Sequence, residues 1–178
     1  MAIERKTVIE LFEKLGRKLN QPTTLCVFGS APAIMLGQPT RQTQVIDVWH
    51  SSSTYDAGDL ARACSEIGVL YDPKGMINPD SVYIQIVRPG IVALPREFET
   101  ETIDRYGNLT VVMPSPVVLS AAKLVRANEN DVNDIVWWVR HSKIAIEQLE
   151  KVIGQLPSQA DQETAKENLV LVQLVSGN

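Results

Sequence analysis

The stretch that most limits how this chain can fold runs from Thr24 to Trp49. An apolar run, Thr24-Leu25-Cys26-Val27-Phe28, ends in Gly29-Ser30 and passes directly into a second short apolar run, Ala31 to Gly37. A strand that turns straight into a helix leaves the first N–H groups of that helix unpaired, and such a turn can hold a phosphate. A second strand follows at about 44–50. It carries one carboxylate, Asp47, two residues after Val45 and so on the same face. Strand interiors are poor in aspartate, because burying a carboxylate without a partner is costly. Asp47 therefore either joins a site or bonds to Arg41, Ser30 or a nearby N–H.

The flanking segments follow from spacing. Val8, Leu11, Phe12, Leu15 and Leu19 recur at three and four residues, which predicts a helix over 7–19 with Glu10, Glu13, Lys14, Arg17 and Lys18 on its wet side. Asp56 can cap a helix that runs to about Ile67, where Gly68 stops it. The turn-rich run from Val69 to Pro79 predicts irregular structure. Val82–Val87 and Ile91–Leu94 read as short strands. Glu97–Asp104 and Leu109–Met113 alternate about Gly107-Asn108, a hairpin signal. Ser115-Pro116 opens a helix to about Ala127, Asn130 or Asp131 opens another to about His141, and two more follow at about 143–155 and 158–175. Strands first and helices afterwards make an α+β protein. The expected division is a core at 1–128 and a C-terminal helical segment, 129–178, packed on it.

Composition narrows the class. With 178 residues, 44% hydrophobic and 21% charged, the chain buries a proper core and is too apolar for a disordered protein. A net charge of −4 gives no bulk attraction to nucleic acid, so an RNA or DNA partner requires a local basic patch. Cys26 and Cys64 lack ligand-like spacing and read as buried free thiols, while His50 and His141 have no partners at metal-binding spacing. No apolar run approaches the roughly 18 residues of a membrane span, and Met1 to Lys6 leads into an amphipathic pattern instead of a signal core. A cytoplasmic protein is expected. The final helix, with Leu169, Val170, Leu171, Val172, Leu174 and Val175, is apolar around most of its girth and calls for a dimer or a protein partner.

Four pieces in order carry a resemblance: Phe28-Gly29-Ser30-Ala31 to Leu36-Gly37; Arg41-x-Thr43-x-x-Ile46-Asp47-Val48; Leu119-Ser120-Ala121-Ala122-Lys123-Leu124; and Asn130-Asp131-Val132-Asn133-Asp134-Ile135. Together they resemble nucleotidyltransferases of the DNA polymerase beta superfamily, in particular small bacterial proteins that include abortive-infection and toxin–antitoxin members. The resemblance implies a mixed sheet flanked by helices. It also implies that Gly29, Ser30, Arg41 and Lys123 meet the nucleotide, with Asp47 and Lys123 catalytic. Asp47 would hold Mg2+, and Asp131 or Asp134 would be a possible second acid.

In that family the strand motif resembles Arg-x-Thr-x-Asp-x-Asp, and here Val45 stands in the place of the first Asp. Nucleotidyl transfer uses two metal ions about 3.5–4 Å apart, and hard ions need several oxygen ligands. Val45 supplies none, while Glu97, Glu99, Glu101 and Asp104 fall near an edge strand. Lys123 has two readings, a lysine snorkelling from a helix flank or one that faces the cleft. The expected function is a catalytically impaired nucleotidyltransferase-fold protein that binds a nucleotide or a partner protein, in a toxin–antitoxin or phage-defence pair. The alternative is an active, Mg2+-dependent enzyme that moves a nucleoside monophosphate from a triphosphate to RNA or a protein hydroxyl.

Overall fold

Seven α-helices, one short 3-10 helix (His50–Ser52) and six strands are found in the described part of this computed structural model, residues 3–39 and 41–176. The chain clusters into two units, one of residues 1–88 with 100–113 and the other of 89–99 with 114–178.

The first unit is a mixed six-stranded sheet with helices. Its elements are α1 (Arg5–Lys18), β1 (Thr23–Phe28), α2 (Ala31–Met35), β2 (Val45–Trp49), α3 (Ala57–Glu66), β3 (Leu70–Tyr71), β4 (Tyr83–Val87), β5 (Thr100–Tyr106) and β6 (Leu109–Pro114). The strand order is β3-β4-β2-β1-β6-β5. β1 runs antiparallel to β2 and parallel to β6, while β4 runs parallel to both β2 and β3. Alternation sets the two faces of the sheet. Leu25, Val27, Ile46, Val48, Ile84, Ile86, Leu109 and Val111 join Val8, Phe12, Leu15, Leu60 and Cys64 in one buried cluster. The opposite face of β2 and β4 carries Val45, Asp47, Tyr83 and Gln85, all half-buried.

Local signals explain most boundaries. The Asp56 side chain accepts from the N–H of Asp59 and starts α3, and Gly68 beyond its end takes φ +76°. Cys26 and Cys64 are free and buried. Two strand expectations need correction. Within 69–79, Leu70–Tyr71 pairs with β4, because a parallel neighbour supplies the ladder that turn-rich sequence hides. Ile91–Leu94 forms no strand: Pro89-Gly90 precedes it, Pro95 follows it and Ile91 is exposed.

The second unit is helical: α4 (Pro116–Leu124), α5 (Glu129–Ser142), α6 (Ile146–Ile153) and α7 (Gln159–Ser176). Helix α4, which the sequence reading placed with the core, groups with the other helices. Helix α5 begins earlier than expected, because Asn128 is its cap and accepts from the N–H of Asp131 at 2.9 Å. Ser115 precedes α4 but makes no side-chain cap bond. On α7, Ala165, Leu169 and Val172 are buried, while Val170, Leu171 and Leu174 are exposed; the side chain of Val175 and the start Met1-Ala2 lie outside the described residues. No helix among the described residues is long and apolar enough to cross a membrane.

Candidate functional site

The strand-to-helix turn and Asp47 meet. In the antiparallel β1–β2 pair Phe28 lies opposite Asp47, so the chain enters Gly29 beside that carboxylate. Gly29 has φ +70°, and a Cβ built there would stand 2.7 Å from Asp47 Oδ2. Only glycine takes this backbone without strain and leaves the carboxylate room. Ser30 follows in helical geometry, its carbonyl accepting from the N–H of Ile34 at 3.2 Å, and its side chain makes no cap bond.

The turn offers less to an anion than the sequence suggested. Helix α2 has five residues, and Pro32 in its first turn contributes no N–H. An adjacent carboxylate also repels phosphate unless a cation stands between them. Arg41 lines a different part of the sheet unit, an open groove of about 860 Å³ with Glu4, Arg5, Glu10, Glu13 and Gln38, which neither Gly29, Ser30 nor Asp47 lines. Thr43 has a bracing task. Its backbone exchanges hydrogen bonds with Ile3 at 2.7 and 3.1 Å, and its hydroxyl donates to the carbonyl of Val45 at 2.8 Å.

The neighbours of Asp47 decide the chemistry. Two residues back on the same face is Val45, and opposite on β4 is Gln85. Gln85 is a residue the sequence reading missed, since nothing local marks the parallel pairing of strands nearly forty residues apart. Its amide donates to Asp72 Oδ1 at 3.3 Å, an oxygen that also accepts from the N–H of Ile86 at 3.2 Å, while Lys74 Nζ lies 2.8 Å from Asp72 Oδ2. Asp72 holds this position with φ +39°. Among the described residues no three His, Cys, Asp or Glu side chains converge as a metal-holding group. Of the acids expected near an edge strand, Glu101 and Asp104 lie on β5, three strands from β2, about 14 Å at ordinary strand spacing. One carboxylate between a valine and a glutamine does not fit a pair of magnesium ions.

The remaining expected site residues belong to the helical unit and are paired there. Lys123 Nζ lies 2.9 Å from Asp134 Oδ2 and 3.4 Å from Asp131 Oδ1, with both aspartates fully buried and Lys123 nearly so. Arg126 grips Asp131 with two hydrogen bonds, Nε to Oδ2 at 2.6 Å and Nη2 to Oδ1 at 2.8 Å. Burial alone would raise the Asp131 carboxyl, but the Arg126 hydrogen bonds and the Lys123 charge outweigh it and hold the group below the usual range. Two buried carboxylates thus face two cations, the buried Lys123 and the solvent-exposed Arg126. In this arrangement the Lys123 ammonium is committed to carboxylates and not presented to a phosphate. The histidines stay outside the site: His50 Nδ1 shares a 2.9 Å hydrogen bond with the Tyr55 hydroxyl, and His141 stacks on Trp137.

A family model described as nucleotidyltransferase of unknown function (DUF6036) matches residues 6–173. The chain is also similar to a solved structure, that of an antigenic nucleotidyltransferase-like protein from Paracoccidioides brasiliensis. That match has a TM-score of 0.59 and 16% identity, over 99% of this chain and 93% of the other. At that identity the likeness concerns the fold. No curated protein matches the chain.

Proposed function

Since the chain belongs to the family of nucleotidyltransferases of unknown function, with residues 6–173 spanned by its model, we propose that it is a catalytically impaired member that works by binding. The single observation behind this reading is the face shared by β2 and β4, where Asp47 has Val45 on its own strand and Gln85 opposite. Valine offers no lone pair and a glutamine amide no charge, so a divalent ion there would meet one charged ligand from these three positions. Loss of a metal-held nucleophile is worth several kcal/mol of barrier, which is orders of magnitude in rate.

The ligand proposed for this face is a nucleoside triphosphate, bound weakly through the Gly29-Ser30 backbone. Asp47 beside that turn disfavours a bare phosphate and favours a ligand that brings its own cation. The resemblance to abortive-infection and toxin–antitoxin proteins extends the reading to a role beside a partner protein.

Titration calorimetry with each nucleoside triphosphate, with and without Mg2+, joined to a search for released pyrophosphate, tests this. The expected result is weak binding and no pyrophosphate. Tight Mg2+-dependent binding with pyrophosphate release, both abolished by Asp47→Ala, would establish the active enzyme instead.

A further inference from the structure

Among the described residues the sheet ends in a strand whose outer side no other strand covers: β5 is last in the order β3-β4-β2-β1-β6-β5. We propose that this edge pairs with β5 of a second copy of the chain, antiparallel and centred on Ile103.

The geometry begins at the hairpin turn. Gly107, with φ +56°, and Asn108 form a two-residue connection between β5 and β6. Such a turn makes Tyr106 and Leu109 the closing hydrogen-bonded pair, and alternation then points the backbone groups of Arg105, Ile103 and Glu101 away from β6. The structure agrees at Arg105, whose N–H donates to Asp104 Oδ1 at 2.8 Å. The strand is anchored from within its own unit. Tyr106 stacks on Phe12 with ring centroids 6.3 Å apart, and the Asn108 N–H donates to the Gly16 carbonyl at 3.2 Å. Thr100, Glu101, Thr102, Asp104 and Arg105 are exposed along it. The edge is therefore a fixed template with outward groups at every second residue.

Side chains choose the partner and the register. Antiparallel pairing about Ile103 sets Ile103 against its own copy and Glu101 opposite Arg105, an ion pair that two-fold symmetry supplies twice. Thr102 then faces Asp104, and Thr100 faces Tyr106. Slipping two residues towards the turn sets Asp104 against Asp104. Slipping the other way leaves Glu101 on Ile103 and Arg105 on Glu99, which lies outside the strand. A foreign basic segment would satisfy Glu101 but confront Arg105 with like charge; a second copy satisfies both. Edge pairing alone buries less than the roughly 1,600 Å² of a standard interface, so the dimer is a weak one that forms at high protein concentration.

Sedimentation velocity over a concentration series of the full chain tests this. The expected result is a monomer–dimer equilibrium. Arg105→Glu, which turns both ion pairs into repulsions, weakens it about tenfold, and Glu101→Arg with Arg105→Glu restores it to within about threefold. Ile103→Pro, which removes the central N–H, abolishes it, with circular dichroism confirming that the variant is folded. A chain that stays monomeric into the millimolar range overturns the proposal. So does a dimer indifferent to Arg105→Glu and Ile103→Pro, and so does pairing with basic extended peptides but not with itself.

Discussion

Asp47 Oδ2 stands 2.7 Å from the point a Cβ on Gly29 would occupy, so the glycine of the turn and the aspartate of the neighbouring strand share one small space. The contact follows from antiparallel register, which sets Phe28 opposite Asp47 and delivers the next residue alongside the carboxylate.

Gly29→Ala should therefore destabilise the chain twice over, through the positive φ and through the carboxylate. About 1–3 kcal/mol is expected from the backbone alone. In an Asp47→Ala background the loss should shrink, because the oxygen that the new methyl meets is gone. Urea denaturation of the two singles and the double measures that coupling. Equal losses in both backgrounds would mean that the two residues do not press on one another. Gly37→Ala is the control: φ is +99° but no atom of the described residues lies within 4 Å of the added methyl.

Val45→Asp should create the missing ligand. Residues two apart on a strand share a face, with Cα atoms about 7 Å apart, so the variant presents an Asp-x-Asp pair. Mg2+ should raise its melting temperature, by an amount that corresponds to about 2.7 kcal/mol at a hundredfold excess over the dissociation constant. Thermal unfolding with Mg2+ and with chelator reads the difference, and the unsubstituted chain should shift far less. An equal shift in both would remove the donor-set argument.

Lys123→Met should cost about 3–5 kcal/mol, because it leaves Asp131 and Asp134 buried with their charge uncompensated from that side. The set also fixes a pH dependence. The folded-state pKa of Asp131 lies below its unfolded value, so its contribution is complete above about pH 4 and fades as pH falls through the folded value. Urea midpoints recorded from neutral pH into acid should fall for the native chain. For Asp131→Asn they should start lower and fall less, and the two curves should converge in acid.

Burial pushes the Cys26 and Cys64 thiols up to about 12. At neutral pH neither offers appreciable thiolate or access. Labelling by an aromatic disulfide should be slow in buffer and accelerate in step with urea unfolding. Prompt labelling of either thiol in buffer would place it at the surface.

Gly16→Ala should be among the most damaging small substitutions. A Cβ there falls 1.7 Å from the Tyr106 carbonyl oxygen, a backbone atom fixed by the hairpin. The loss should be about 3 kcal/mol, measured by denaturation, because α1 or the turn must move to admit the methyl.

What the sequence determined by itself is whatever is written at short range. The three-and-four spacing of Val8, Leu11, Phe12 and Leu15 and the Asp56 cap each lie within a few residues of what they specify, and those elements stand where expected; the alternation about Gly107-Asn108 marked the hairpin, but its first strand runs over Thr100–Tyr106 and not 97–104, because pairing continues up to the two-residue turn. The Gly29-Ser30 turn and the strand of Asp47 were legible for the same reason. Tertiary structure decided who stands beside whom. Gln85 reached Asp47 through parallel pairing of β2 with β4, a strand two residues long emerged at Leu70–Tyr71 from its neighbour's ladder, and Lys123 went to Asp131 and Asp134. Strand register and the burial of charge depend on contacts across tens of residues, and no local spacing encodes them.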